Sequence, residues 1–119
     1  MLTTEEKTRA VIAALEEIKA NDIVVIDTSK LSSMFECMVI ASAQSTRQTR
    51  AIADNVVVKL KERSVEVYGR EGEESGEWIL IDLGEILVHI MQPAVRDYYN
   101  LEELWSKTPA VRPKLAKAS

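Results

Sequence analysis

Few side chains in this sequence are able to do chemistry, and their spacing keeps them apart. There is one histidine, His89, and one cysteine, Cys37, so a site built from several converging His and Cys ligands lacks its donors. Cys37 opens the apolar run Cys37-Met-Val-Ile-Ala41; a thiol in apolar surroundings holds its proton, and a structural, inert role is the favoured reading. His89 stands between Val88 and Ile90, where a packed, hydrogen-bonded imidazole is favoured over a catalytic base. No glycine-rich phosphate loop is present. Ala43-Gln44-Ser45 leads into a helix start, whose only anion-binding asset is a capped helix end. The carboxylates do not pair: Asp22 and Asp27 lie at opposite ends of an apolar stretch, and Asp82 stands alone. Mg²⁺ chemistry would need a close Asp-x-Asp pair. The residues therefore predict no catalytic centre, no metal and no cofactor.

What remains is a charge pattern around a tryptophan. From Glu71 to Ile86 there are six acids (Glu71, Glu73, Glu74, Glu77, Asp82, Glu85) and no base, with Trp78 among them. From Lys107 to Ser119 there are four bases and no acid. A concentrated negative surface attracts a basic partner and speeds the encounter; from charge alone, a solvated loop explains the acids as well. The formal net charge of −4 disfavours a dedicated nucleic-acid site, since phosphate binding draws on Lys and Arg.

The elements that must position these residues follow from periodicity. Thr3 and Glu6 form a capping box ahead of a helix over Thr4–Ala20, with Val11, Ile12, Leu15 and Ile18 on one face. Ile23–Ile26 and Cys37–Ala43 are continuous apolar runs that suit buried strands. Ser45 and Gln48 form a second capping box, and Ile52, Val56 and Leu60 continue that helix at i+4 spacing. Val65–Tyr68 is predicted as a short strand and 69–76 as a turn region. Trp78–Asp82 and Ile86–Met91 form a hairpin about Leu83-Gly84. A two-residue loop would pair Ile81 with Ile86, Ile79 with Val88 and Trp78 with His89. Because strand side chains alternate, Ile79, Ile81, Ile86, Val88 and Ile90 share one face, and Trp78, Leu80, Leu87, His89 and Met91 share the other. Both faces are apolar and both need covering. Pro93 suits the first turn of a last helix, interrupted near Asn100. The order α-β-β-α-β-β-β-α predicts an α/β fold, a mixed five-stranded sheet with flanking helices, in one domain over residues 1–106 with a basic, mobile tail over 107–119.

Bulk properties agree with one globular domain. The chain has 119 residues, 46% hydrophobic and 29% charged, enough to bury a core without staples. The lone cysteine points to a reducing compartment, the N-terminus has no apolar signal segment, and no run is long enough to span a membrane. A cytoplasmic location follows as an expectation.

Taken together, the segments resemble the ribosomal silencing factor family, also called Iojap-related proteins. The resemblance runs from about Ile23 to Trp105. It rests on the order of Asp22-Ile-Val-Val-Ile-Asp27, Cys37-Met-Val-Ile-Ala41, Ser45-Thr-Arg-Gln48, Ala51-Ile-Ala-Asp54, Glu71-Gly72, Trp78-Ile-Leu-Ile-Asp-Leu-Gly84, Leu87-Val-His-Ile90 and Arg96-Asp-Tyr-Tyr-Asn-Leu-Glu-Glu-Leu-Trp105. Two places depart from the family pattern: Glu36 replaces an Asp, and Ser42-Ala-Gln-Ser45 replaces Thr-Gly-Thr-Ser. The resemblance implies a nucleotidyltransferase-like fold without catalytic carboxylates. It further implies binding to the large ribosomal subunit through its ribosomal protein fourteen, a block on joining of the small subunit that lowers translation when nutrients are scarce, and homodimer formation. On that reading Trp78 is the docking anchor, since interface hot spots are enriched in Trp and Tyr. Leu80, Leu83 and Met91 would supply apolar contacts, and Glu77, Asp82 and Glu85 an acidic rim, with Tyr98 and Tyr99 as further aromatic candidates. The competing readings are an enzyme of nucleotidyltransferase type, and a dimeric adaptor that uses the Trp78 face for self-association. A burial of Trp78 under the last helix would count against its anchor role.

Overall fold

A computed structural model describes residues 2–104 and 110–111. Helix α1 (Thr4–Glu17) starts on the expected capping box: the Thr3 hydroxyl accepts from the Glu6 N–H, and the Glu6 carboxylate accepts from the Thr3 N–H. It ends three residues earlier than periodicity predicts. Lys19 turns left-handed at φ 60°, and the N–H groups of Lys19 and Ala20 bond back to the carbonyls of Glu16 and Leu15, a Schellman closure made without glycine. Helix α2 (Thr46–Glu62) closes the same way at Ser64, φ 64°. Its start is only half a capping box. Ser45 accepts from the Gln48 N–H, but the Gln48 side chain accepts from the Gln44 N–H, one residue ahead of the cap.

The strands are β1 (Asn21–Asp27), β2 (Cys37–Ser42), β3 (Gly69–Glu71), β4 (Trp78–Asp82), β5 (Ile86–Met91) and the two-residue β6 (Ala110–Val111). They form one mixed sheet in the order β3-β4-β5-β2-β1-β6, with β2 and β5 parallel and the other pairs antiparallel. The sheet is the expected mixed one, with four of the five expected strands in place, a fifth at another position, and β6 along the outer side of β1. One strand is displaced from its prediction. Val65–Tyr68 is not a strand, and the short pairing falls instead on Gly69–Glu71, within the predicted turn region. The Val65 side chain still packs into the core, which accounts for its strand-like pattern.

The hairpin register also differs. Trp78 pairs with Met91, Leu80 with His89 and Asp82 with Leu87, two residues from the predicted pairing, because the connection is longer than Leu83-Gly84 alone. An even slip leaves every side chain on its face. Ile79, Ile81, Ile86, Val88 and Ile90 therefore still share one face, packed with Val11 and Leu15 of α1 and with Ile52, Val56 and Leu60 of α2. On the opposite face Val24, Ile26, Met38, Ile40 and Met91 form a smaller cluster, against which Phe35, Trp78, Val95 and Leu101 pack. This second face is covered by α3 (Pro93–Tyr99) and α4 (Leu101–Leu104), which meet at a left-handed Asn100. Arg96 pins them down. Its guanidinium donates to the Ser42 hydroxyl at 2.7 Å and to both Glu102 oxygens at 3.0 and 3.1 Å, a planar fork that only arginine supplies. Of the predicted tail, residues 107–109 and 112–119 lie outside the described residues.

Candidate functional site

Trp78 begins β4 on the thinly covered face of the sheet. It is half-buried, and its position is set from two sides. The indole N–H donates to Nδ1 of His89 at 2.9 Å, a diagonal neighbour across the hairpin. Tyr99 of α3 packs against the indole with ring centroids 4.9 Å apart, and Tyr98 meets Tyr99 edge-on at 5.0 Å. The last helix therefore flanks Trp78 without enclosing it. Between β4 and α3 lies a groove of ≈ 420 Å³ lined by Ser75, Glu77, Trp78, Ala94, Val95, Tyr98 and Tyr99.

His89 is buried, and burial pushes its pKa down to about 4, so the ring is neutral at neutral pH. Since Nδ1 accepts from Trp78, the ring proton sits on Nε2, which has no hydrogen-bond partner among the described residues. His89 is thus the packed, bonded histidine that its apolar neighbours predict, and its bond fixes the tryptophan. Cys37 is buried, and burial pushes its thiol pKa up, against a weaker opposing bond from the Thr8 hydroxyl. That environment favours the protonated, unreactive form. Among the described residues no three His, Cys, Asp or Glu side chains come together to hold a metal ion.

The acidic stretch is a built loop. Gly72 and Gly76 take positive φ angles of 92° and 75°, and at Gly72 a Cβ would overlap the Trp78 carbonyl oxygen. Arg50 of α2 donates to the carbonyls of Glu73 and Glu74 at 2.9 and 2.7 Å, and the Thr49 hydroxyl donates to the Gly76 carbonyl at 2.5 Å. Arg70 adds ion pairs to Asp54 and Glu73. These straps take up backbone carbonyls and one carboxylate, and leave Glu71, Glu74 and Glu77 exposed, with Glu77 lining the groove.

The residues predicted as one contact surface do not stay together. Trp78, Glu77 and Tyr98 line the groove, with Tyr98 81% exposed. Leu80 and Asp82 follow Trp78 along the same strand face, half-buried, with Asp82 ~13 Å away at the usual rise of a strand; the Asp82 carboxylate accepts from the Gly84 N–H. The other three need correction. Met91 is fully buried in the second-face cluster, beneath α3 and α4. Leu83 is 1% exposed and packs into the main core on the far side of the sheet. Glu85 also turns to the α1 side, where it accepts from Lys7 at 2.9 Å and Thr4 at 3.4 Å. Burial opposes its charge, but bonds from Lys7, its own backbone and Thr4 outweigh that and hold the carboxyl below its ordinary range. Leu83 continues the alternation of Ile79 and Ile81 onto the core face, whereas Glu85 departs from the alternation of β5 at the turn. Tyr99, a further aromatic candidate, also lines the groove, whereas Val95 and Ala94 were missed because the lie of α3 depends on the Arg96 pin. The arginine straps of the acidic loop left no local signal at all.

Comparison with known proteins agrees with this geometry. Residues 2–119 match the family model described as ribosomal silencing factor during starvation, RsfS. The ribosomal silencing factor RsfS of Chromobacterium violaceum is 54% identical over 101 residues, covering 85% of this chain and 83% of that protein. A crystal structure of a Chromobacterium violaceum protein superimposes with a TM-score of 0.87 at 51% identity, covering 88% of each chain. A more distant relative, named mitochondrial assembly of ribosomal large subunit protein 1, from Mus musculus, is 33% identical over 98 residues, covering 80% of this chain and 43% of its own length. With the family model matched over residues 2–119 and a relative 54% identical over most of both chains, the chain belongs to the ribosomal silencing factor (RsfS) family.

Proposed function

We propose that this protein is a translational repressor that docks on the large ribosomal subunit through its ribosomal protein fourteen and sterically blocks joining of the small subunit, above all under nutrient limitation. The observation that carries the reading is the open groove at Trp78, with an indole fixed from behind by His89 and Tyr99 and exposed carboxylates held on a strapped loop beside it. A rigid aromatic loses little entropy on binding, and truncating such an anchor is expensive. The acids suit a basic ribosomal protein and speed its encounter. The family name and the name of the mouse relative point to the same class of partner. No step of chemistry is required: occupancy of the surface is the mechanism.

Cosedimentation with isolated large subunits tests this, comparing wild type with Trp78→Glu. Wild type is expected to pellet with the subunits and to inhibit their association with small subunits, and the variant to stay in the supernatant. If the variant pellets like wild type, Trp78 is not the anchor; if neither pellets, the ribosomal reading fails. Sedimentation of the free protein addresses self-association, and an adaptor that used this face would lose its dimer with the same substitution.

A further inference from the structure

The groove at Trp78 has a chemistry that shape alone does not require. Its walls carry three aromatic rings, Trp78, Tyr98 and Tyr99, and one exposed carboxylate, Glu77, and among the described residues no Lys or Arg lines it. The Trp78 N–H is already taken by His89, so the indole offers an occupant its π-system and no donor. Tyr99 stands 4.9 Å from Trp78 and Tyr98 stands 5.0 Å from Tyr99, which brings the three rings together at one end of α3. Aromatic faces attract cations through the ring quadrupole, more strongly as water is displaced. The Glu77 carboxylate adds a charged acceptor to the lining.

We infer that this groove is a receptor for one long cationic side chain, an arginine carried by the basic protein partner. Arginine fits better than lysine because its planar guanidinium stacks on a ring while its edge still bonds to Glu77. The inference rests on the docking reading of this face and adds to it: Trp78 acts as one wall of a cation box, besides being a hydrophobic plug. Tyr98 and Glu77 then become specificity residues, although neither holds the fold together, Tyr98 being 81% exposed.

Two measurements test it separately. In the first, the free protein is titrated with N-acetyl-arginine amide and, in parallel, with the uncharged isostere N-acetyl-citrulline amide, following the assigned indole N–H resonance of Trp78. Arginine amide is expected to shift that resonance and citrulline amide to leave it; equal shifts, or none, overturn the inference. In the second, Tyr98→Leu, Tyr98→Phe and Glu77→Gln are compared in cosedimentation with large subunits. Tyr98→Leu is expected to weaken binding roughly two- to fivefold, the range of an exposed cation–π contact, while Tyr98→Phe keeps wild-type affinity and Glu77→Gln reduces the salt dependence. Wild-type binding by Tyr98→Leu, alongside loss by Trp78→Glu, would overturn the cation box and leave the docking reading standing. Failure of wild type itself to bind would sink the docking reading, with the arginine titration still deciding what the groove takes.

Discussion

Lowering the pH should destabilise this protein well before its carboxylates titrate, through His89. The imidazole is 6% exposed, and burial holds its pKa at about 4 against an ordinary 6.5. In the unfolded chain the ring takes up a proton below about pH 6.5, whereas in the folded protein it stays neutral until about pH 4. Between those values the unfolded state binds more protons, so stability is fully present above pH 6.5 and is lost as pH falls toward 4. At ~1.4 kcal/mol per pH unit of separation, the loss amounts to about 2 kcal/mol between pH 7 and pH 5. The carboxylates of Glu6, Asp27 and Glu85, also held below their ordinary range, act in the same direction but at lower pH, which leaves the window from 5 to 6.5 to the histidine. Urea unfolding followed by far-ultraviolet circular dichroism at pH 5, 6 and 7 measures the effect, and a 2 kcal/mol loss moves the midpoint by on the order of 1 M. His89→Gln removes the titration and retains an acceptor for the Trp78 N–H. The wild-type profile should slope across this window and that of the variant should stay flat. Parallel profiles would refute the buried, neutral histidine, and with it the account of how Trp78 is fixed.

Three further outcomes follow from the geometry. Arg96→Met should destabilise the fold by about 2–4 kcal/mol in urea unfolding, because it leaves the Ser42 hydroxyl and the half-buried Glu102 carboxylate without their guanidinium; a loss below 1 kcal/mol would mean that α3 and α4 are held by apolar packing alone. Gly72→Ala should cost about 2 kcal/mol or more, since the left-handed backbone and the overlap with the Trp78 carbonyl act together, and it should weaken large-subunit binding by displacing the start of β4. Cys37 should react with a thiol reagent at neutral pH only as fast as the protein opens, and at the rate of an ordinary cysteine once urea has unfolded it.

Much of the architecture was legible in the sequence because its causes are local. The Thr3–Glu6 capping box lies within four residues, and the helix beginning at Thr4 follows from it. The alternation along Trp78–Asp82 and Ile86–Met91 assigned each side chain to its face, and that survived a two-residue error in register because a strand repeats every two residues. Helix ends were less legible. Lys19 and Ser64 turn left-handed without glycine, driven by the carbonyls they satisfy, so composition carried no stop signal.

The site itself was decided by tertiary structure. Trp78 as a half-open aromatic was a guess between burial and exposure until Arg96, reaching from α3 to Ser42 on β2 across 54 positions of chain, set where Tyr99 would lie. The acidic stretch read as a possible solvated loop; Arg50 and Thr49, more than twenty residues away, make it a fixed rim. Met91, Leu83 and Glu85 looked like surface contacts by their place in the hairpin, yet the cover of α3 and α4 and the approach of α1 turn them inward or tie them down. Periodicity and capping act over a few residues and are written in the chain, whereas exposure depends on which distant element arrives to cover a face, and only the folded molecule determines that.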